Sequence, residues 1–240
     1  MRQNKICIIG LGYVGLPLAV EFSKKFSVIG YDVDKKKIRD LRKGIDVTKE
    51  LDINGINNLK KIPLTYNSKE LKEANFFIVT VPTPIFKDKK PNLSFLKKAS
   101  KIVSKSLSKD DFVVYESTTF PGCTENICVP ILEKNSKLKL NKDFYCGYSP
   151  ERINPGDKKH KLNKITKIVS GSNAHASKFI SSIYKNITKE KIFISKSIQV
   201  AEASKVIENI QRDINIALMN ELSIIFNKLN IDFNEVLKAS

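Results

Sequence analysis

The sequence predicts an α/β fold: a doubly wound parallel sheet with helices on both faces, followed by one long connecting helix. Three observations carry this. As far as Ser195, short apolar runs of strand length alternate with amphipathic helical stretches. The first apolar run breaks into a glycine-rich corner rather than a polar turn. From Ile198 onward the apolar period becomes that of a single continuous helix.

The first strand is Lys5–Ile9, and it opens into Gly10-Leu11-Gly12-Tyr13-Val14-Gly15. A helix over Val14–Lys25 follows, then a strand over Val28–Tyr31 closed by Asp32. Strand, glycine corner, helix, strand and a carboxylate about 20 residues on make the layout of a Rossmann-like dinucleotide-binding turn. Gly10 permits the tight exit from the strand, Gly12 leaves room for a pyrophosphate against the backbone, and Gly15 lets the helix pack closely on the sheet. The helix N-terminus offers unpaired N–H groups and a positive dipole end to phosphates.

The remaining elements repeat the alternation. Helices are expected over Lys35–Lys43, Ser94–Leu107, Thr124–Lys134 and Ala174–Lys185. Strands are expected over Phe76–Val81, Phe112–Ser117, Phe144–Tyr148, Lys167–Ser170 and Ile192–Ser195. Pro82-Thr83-Pro84 ends one strand sharply and Pro121-Gly122 turns the chain after the next. Both breaks fall at strand carboxyl ends, where open α/β sheets bind ligands.

Composition bounds the function. The chain has 240 residues, 41% of them hydrophobic, enough for a substantial core. No apolar run approaches the ~18 residues of a membrane span, and Ile6–Ile9 is too short for a signal-peptide core; a cytoplasmic protein is expected. The formal net charge is +17, yet only Arg2, Arg39, Arg42, Arg152 and Arg212 are arginine. The lysines are scattered, without aromatic interleaving or a nucleic-acid-binding motif, so they describe a solvated surface and no nucleic-acid partner. Such a surface also attracts an anionic substrate. Cys7, Cys123, Cys128 and Cys146 show no metal-ligand spacing and no metal is expected. Cys7 and Cys146 lie in strand-like runs and read as small buried hydrophobes.

The long helix runs from Ile198 to about Asn227. At about 100° per residue, Glu202, Lys205, Asn209, Arg212 and Asp213 fall within an arc of about 100°. Val200, Val206, Ile207, Ile210, Ile214, Leu218, Leu222 and Ile225 fill much of the rest. The polar arc is either a face turned to water or a face presented to a ligand. A new helix begins at Glu235-Val236-Leu237-Lys238 and the chain stops at Ser240, which reads as a truncation. The expected division is a dinucleotide-binding domain over 1–197, then the long helix and the start of a second domain over 198–240.

Five motifs, in order, resemble the UDP-glucose/GDP-mannose dehydrogenase family of nucleotide-sugar 6-dehydrogenases. They are Gly10–Pro17, Val81-Pro82-Thr83-Pro84, Glu116-Ser117-Thr118-Thr119-Phe120-Pro121-Gly122, Ser149-Pro150-Glu151-Arg152-Ile153-Asn154-Pro155-Gly156, and Ala201–Asn209. Within the family, the stretch Ser149–Asp157 and the run Glu208-Asn209-Ile210-Gln211-Arg212-Asp213 are most similar to the branch that oxidises UDP-N-acetylglucosamine or UDP-N-acetylgalactosamine for capsule, Vi-type or O-antigen polysaccharides.

The resemblance implies two hydride transfers to NAD, taking a sugar C6 from alcohol to acid. It implies that Thr118 and Glu151 position water, with Glu151 as acid–base group in thioester hydrolysis. It assigns Lys205 to oxyanion stabilisation or proton abstraction, and Asn209 to a second oxyanion donor. Their spacing of four places them on one helix face. For the cofactor it implies Gly10, Gly12, Tyr13, Val14, Gly15, Asp32, Lys37, Thr83 and Thr118. Asp32 would take both ribose hydroxyls and repel a 2′-phosphate, selecting NAD. With Glu151, Lys205 and Asn209, Arg152 and Arg212 complete the implied substrate contacts, toward phosphate or carboxylate. A homodimer is implied for the full-length family member.

One departure matters. In the family the nucleophilic cysteine lies in a Gly-Gly-x-Cys segment beyond the long helix, and these 240 residues contain none. Cys123, beside a family motif, matches a different position and reads as structural. Two readings therefore stand: the N-terminal part of a nucleotide-sugar 6-dehydrogenase, or a non-catalytic dinucleotide-binding module. A β-hydroxyacid dehydrogenase is a third, against which the Ser149–Gly156 motif speaks.

Overall fold

The computed structural model describes residues 4–151 and 166–240. Its sheet is organised around β1 (Lys5–Ile9), which pairs in parallel with β2 (Ser27–Tyr31) on one side and β4 (Phe76–Val79) on the other. A strand paired on both edges and covered on both faces must be apolar throughout. Ile6 and Ile8 enter the core on one face, Cys7 and Ile9 the core on the other.

The eight strands lie in the order β3-β2-β1-β4-β5-β6-β7-β8. The other members are β3 (Leu64–Thr65), β5 (Asp111–Tyr115), β6 (Phe144–Tyr148), β7 (Lys167–Gly171) and β8 (Ile192–Ile194). The chain builds outward in one direction from β1 to β3 and in the other from β4 onward, so the carboxyl ends of the parallel neighbours β1 and β4 form the crevice of a doubly wound sheet.

The helices are α1 (Gly15–Ser23), α2 (Lys35–Arg42), α3 (Ile53–Leu59), α4 (Ser94–Ser104), α5 (Val129–Ser136), α6 (Ala174–Tyr184), α7 (Ile198–Lys228) and α8 (Phe233–Ala239). The α/β class and the long helix are as expected. Three details differ. Strand β7 pairs antiparallel to β6, with Tyr148 opposite Ser170. Strand β3 and helix α3 had no sequence signal, because a two-residue strand shows no alternation and Ile-Asn-Gly-Ile-Asn-Asn-Leu carries few apolar residues. The helix expected from Thr124 begins with a π-helical turn, Thr124–Cys128. Pro130 sits in the first turn of α5 and has no N–H to continue an α-helical ladder, which accounts for the widened turn.

Two strands also end earlier than their apolar runs. After Val79, Thr80 leaves the strand and donates its hydroxyl to the Gly10 carbonyl at 2.7 Å. After Tyr115, Glu116 turns into a buried ion pair. Its carboxylate accepts Lys167 Nζ at 2.6 Å and the Tyr184 hydroxyl. Desolvation pushes Glu116 above the usual carboxylate range, while Lys167 pulls it back. This cluster ties the end of β5 to the start of β7 and the end of α6.

The chain forms two compact units, divided between Ala203 and Ser204. The second holds the remainder of α7 and α8. Asp232 caps α8 by accepting the Asn234 N–H at 2.8 Å, and Phe226 stacks on Phe233 with centroids 5.8 Å apart. In this unit Ile214 is 59% exposed and Leu218 and Ile225 are each 49% exposed.

Two expectations follow from this packing. Lys167→Met leaves a buried carboxylate without its counter-charge and should cost about 3–5 kcal/mol near neutral pH in urea unfolding. Without the lysine, the folded chain retains a proton on Glu116 that the unfolded chain releases. The loss should therefore shrink as pH falls through the raised folded-state pKa and level off below the unfolded value of about 4.3. A loss that does not change between about pH 8 and about pH 5 would contradict the ion-pair account. Separately, the apolar stripe on α7 should make the 240-residue chain self-associate and bind a hydrophobic dye. Light scattering that reports a clean monomer at all concentrations would refute this.

Candidate functional site

The glycine corner leaves β1 with Gly10 at φ +98°, a conformation open to glycine and strained for other residues. Its N–H donates to the Tyr31 carbonyl at 2.8 Å, so corner and β2 are held together. A Cβ on Gly15 would stand 1.9 Å from the Gly10 carbonyl oxygen and 2.4 Å from Thr80 Oγ1. Helix α1 can approach the corner only because that atom is missing. A Cβ on Gly12, by contrast, would meet nothing within 4 Å. Gly12 borders open space.

Helix α1 also lacks a cap. Val14 occupies the N-cap position without a side-chain hydrogen bond, and the first turn contains no acidic residue. Leu16 donates to the Gly12 carbonyl at 3.0 Å and Pro17 has no N–H, so what this end offers an anion is its positive dipole and the backbone before Leu16. Asp32, buried at the end of β2, faces the same corner. One oxygen accepts the Leu11 N–H at 2.9 Å and Lys37 Nζ at 2.7 Å, and the other accepts the Asp34 N–H at 3.0 Å. Lys37 thus orients Asp32. These features fit a dinucleotide: a dipole end for phosphates, open space beside the backbone and a fixed carboxylate for a ribose.

The other predicted residues of the first unit lie at the carboxyl ends of β4, β5 and β6. Thr83 donates its hydroxyl to the Thr118 carbonyl at 2.6 Å, joining the loops after β4 and β5. Thr118 itself is exposed, and Tyr13 is 46% exposed. Val14 is buried beneath the corner. Glu151, buried just beyond β6, lies close enough to Tyr13, Glu116 and Tyr184 to push each of them upward, in every case after burial itself. The Glu151 carboxylate is thus within electrostatic reach of Tyr13 in the glycine corner. Arg152 and the rest of its motif to Gly156 lie outside the described residues.

In the second unit, Lys205, Asn209 and Arg212 occupy consecutive turns of α7. Glu208 links them: it sits 3.4 Å from Lys205 Nζ and 2.8 Å from an Arg212 nitrogen, while Arg212 also donates to Asn209 Oδ1 at 3.3 Å. Glu202 departs from the polar face expected of it. It belongs to the first unit, is fully buried and is engaged by backbone groups. Cys7, Cys123, Cys128 and Cys146 are free and buried.

Sequence reasoning missed Thr80, Glu116 as an ion-pair partner, and Glu202. A polar residue ending an apolar strand run, as Thr80 and Glu116 do, was a usable signal. Glu202 had none, because its partners lie far away in the chain.

Residues 4–188 match the model of the UDP-glucose/GDP-mannose dehydrogenase family, NAD-binding domain, and residues 199–240 match the family's central domain. The chain belongs to the UDP-glucose/GDP-mannose dehydrogenase family. It is 52% identical over 240 residues to a UDP-N-acetyl-D-glucosamine 6-dehydrogenase of Pseudomonas aeruginosa, covering all of this chain and 57% of that one. It is 55% identical over 238 residues to the enzyme of that name from Salmonella typhi, covering 99% and 56%. The UDP-D-ManNAc dehydrogenase structure from Pyrococcus horikoshii superposes with a TM-score of 0.89 at 30% identity, over 98% of this chain and 57% of that one. The chain thus spans a little over half the length of these relatives. Family membership sets aside the β-hydroxyacid dehydrogenase reading and makes NAD the cofactor of the first unit.

The glycine corner gives a paired prediction. Gly12→Ala should fold normally and weaken NADH binding at least about tenfold, since its Cβ enters ligand space. Gly15→Ala should cost about 3 kcal/mol, since backbone must move. Thermal unfolding and NADH fluorescence titration separate the two. Equal behaviour of the variants would refute the assignment of the open space to the cofactor.

Proposed function

We propose that the protein to which these residues belong is an NAD-dependent dehydrogenase that oxidises C6 of a UDP-N-acetylhexosamine to the acid, for surface polysaccharide synthesis. The observation that supports it most is the juxtaposition of an uncapped glycine corner, its fixed Asp32 and the buried Glu151 carboxylate. The choice of sugar rests on 52% and 55% identity to UDP-N-acetyl-D-glucosamine 6-dehydrogenases, against 33% and 35% to two UDP-N-acetyl-D-mannosamine dehydrogenases. Cytoplasmic location and a homodimer belong to the same reading. Among the described residues no helix is long and apolar enough to cross a membrane.

In this reading residues 1–197 form the NAD-binding domain and residues 198–240 begin the central domain. Gly10, Gly12, Tyr13, Val14 and Gly15 receive the pyrophosphate, Asp32 takes the ribose hydroxyls with Lys37 holding it in place, and Thr83 and Thr118 contact the second half of the cofactor. When bound, NAD supplies the hydride acceptor. Lys205 stabilises the developing oxyanion or takes the proton from the reacting oxygen, Asn209 donates a second hydrogen bond there, and Thr118 and Glu151 order the water of the hydrolytic step. Arg152 and Arg212 are assigned to anionic groups of the substrate.

A second reading concerns the 240 residues alone. No Gly-Gly-x-Cys segment is present, and the four cysteines are buried. Burial pushes Cys7 and Cys146 thiols upward, away from the thiolate a nucleophile needs. By itself this stretch is then a dinucleotide-binding module.

One experiment tests both. The purified 240-residue chain should bind NADH with micromolar affinity yet give no absorbance growth at 340 nm with UDP-N-acetylglucosamine or UDP-N-acetylgalactosamine. A longer polypeptide extending through a Gly-Gly-x-Cys segment should release two NADH per sugar. Failure of the longer protein on every UDP-hexose would sink the dehydrogenase proposal. Turnover by the 240-residue chain alone would sink the module reading.

A further inference from the structure

The loop that carries Thr118 runs from the end of β5 to the π-helical turn at Thr124, without regular structure of its own. Such backbone needs hydrogen-bond partners from elsewhere. Its first half is tied to the loop after β4: Ser117 Oγ donates to the Val81 carbonyl at 2.6 Å and Thr83 Oγ1 to the Thr118 carbonyl at 2.6 Å. Its second half is tied by one residue of α7. The Glu202 carboxylate accepts the Gly122 N–H at 2.5 Å, the Thr124 N–H at 2.9 Å and the Thr124 hydroxyl at 2.7 Å.

This is a helix cap supplied from a distance. Cys123 stands at the N-cap position of the helical stretch that begins at Thr124 and makes no side-chain cap bond. The leading N–H groups and the positive helix end there call for an anionic acceptor. Glu202 supplies it from 78 residues away. Gly122 adopts φ +89°, which points its N–H at the same carboxylate. Glu202 is fully buried, so desolvation pushes it upward and the bonds from Thr124 and Gly122 pull it back. Three donors to one buried carboxylate are what such a charge requires. Ile198 and Ala201, in the turn before it, are buried in the core cluster that includes Cys123 and Cys128, so the turn is anchored on both counts.

We propose that Glu202 is a positioning residue for cofactor binding: by capping the helix that follows the Thr118 loop, it holds that loop in the shape that receives the nicotinamide half of NAD. The half is assigned by topology. Asp32 lies at the end of β2 and Thr118 beyond the end of β5, on opposite sides of the β1/β4 switch point that a dinucleotide straddles. The inference rests on the reading of Thr118 as a cofactor contact. It also gives the first turns of α7 a part in the cofactor site, although Glu202 lies in the segment that matches the central domain.

The test uses the 240-residue chain with two ligands, NADH and ADP-ribose, which lacks the nicotinamide. Glu202→Gln keeps the shape and exchanges a charged acceptor for an amide. It should weaken NADH about tenfold and ADP-ribose less than about twofold, with faster amide exchange confined to the 117–126 region. Thr124→Val removes one of the three bonds and should shift NADH in the same direction by about threefold. Unchanged NADH affinity overturns the proposal. So does an equal loss for both ligands with exchange raised throughout the sheet, the mark of general destabilisation. If Glu202→Gln does not fold, the Thr124→Val comparison decides by the same criteria. Thr118→Ala separates the two layers: if it leaves NADH affinity unchanged, the Thr118 reading fails and the proposal with it. If Thr118→Ala weakens NADH and Glu202→Gln does not, only the role of Glu202 falls.

Discussion

Helix α1 meets the end of β1 with no room for a single methyl group between them. A Cβ on Gly15 would lie 1.9 Å from the Gly10 carbonyl oxygen, and that constraint orders much else. It brings the helix N-terminus, which has no side-chain cap, to the sheet's crevice beside the open space at Gly12. Thr80 completes the contact by bonding to the Gly10 carbonyl, which draws the end of β4 to the same corner. Asp32 closes the other side through the Leu11 N–H. The open space beside Gly12 and the packing of α1 on the sheet meet at one close approach.

Around this corner the carboxyl ends of the strands are unusually polar for a protein interior. Glu116, Lys167, Tyr184, Ser149, Ser170 and Glu202 are all buried. Each has its partners: Glu116 with Lys167 and Tyr184, Ser149 with the Ile168 carbonyl, Ser170 with the Tyr148 carbonyl, Glu202 with Gly122 and Thr124. Buried ion pairs add little to stability compared with apolar packing. What they do here is fix loops that have no ladder to hold them. The loops after β4 and β5, which carry Thr83 and Thr118, are tied by side chains, and so is Ser149, two residues before Glu151.

The division of labour along α7 follows from the same need. Its first turns are part of the sheet domain through Ile198, Ala201 and Glu202. Farther on, Lys205, Glu208, Asn209 and Arg212 form their own ladder of short-range bonds in the second unit. A polar arc read from periodicity alone treats Glu202 and Lys205 alike. Their partners make them different residues, one an anchor and the other a candidate for chemistry.

Sequence by itself determined whatever depends on neighbours in the chain. The apolar run Ile6–Ile9, the corner from Gly10 to Gly15, the breaks at Pro82 and Pro121 and the period of α7 are local patterns, and the strands and helices they predict are present within a few residues. Short elements without a period, β3 and α3, left no such trace. Tertiary structure alone decided the antiparallel turn of β7, the pairing of Glu116 with Lys167 across 51 residues and the capping of Thr124 by Glu202 across 78. A buried charge is paired with whichever opposite group the closed fold delivers. That delivery depends on how the layers pack, which no stretch of sequence encodes on its own.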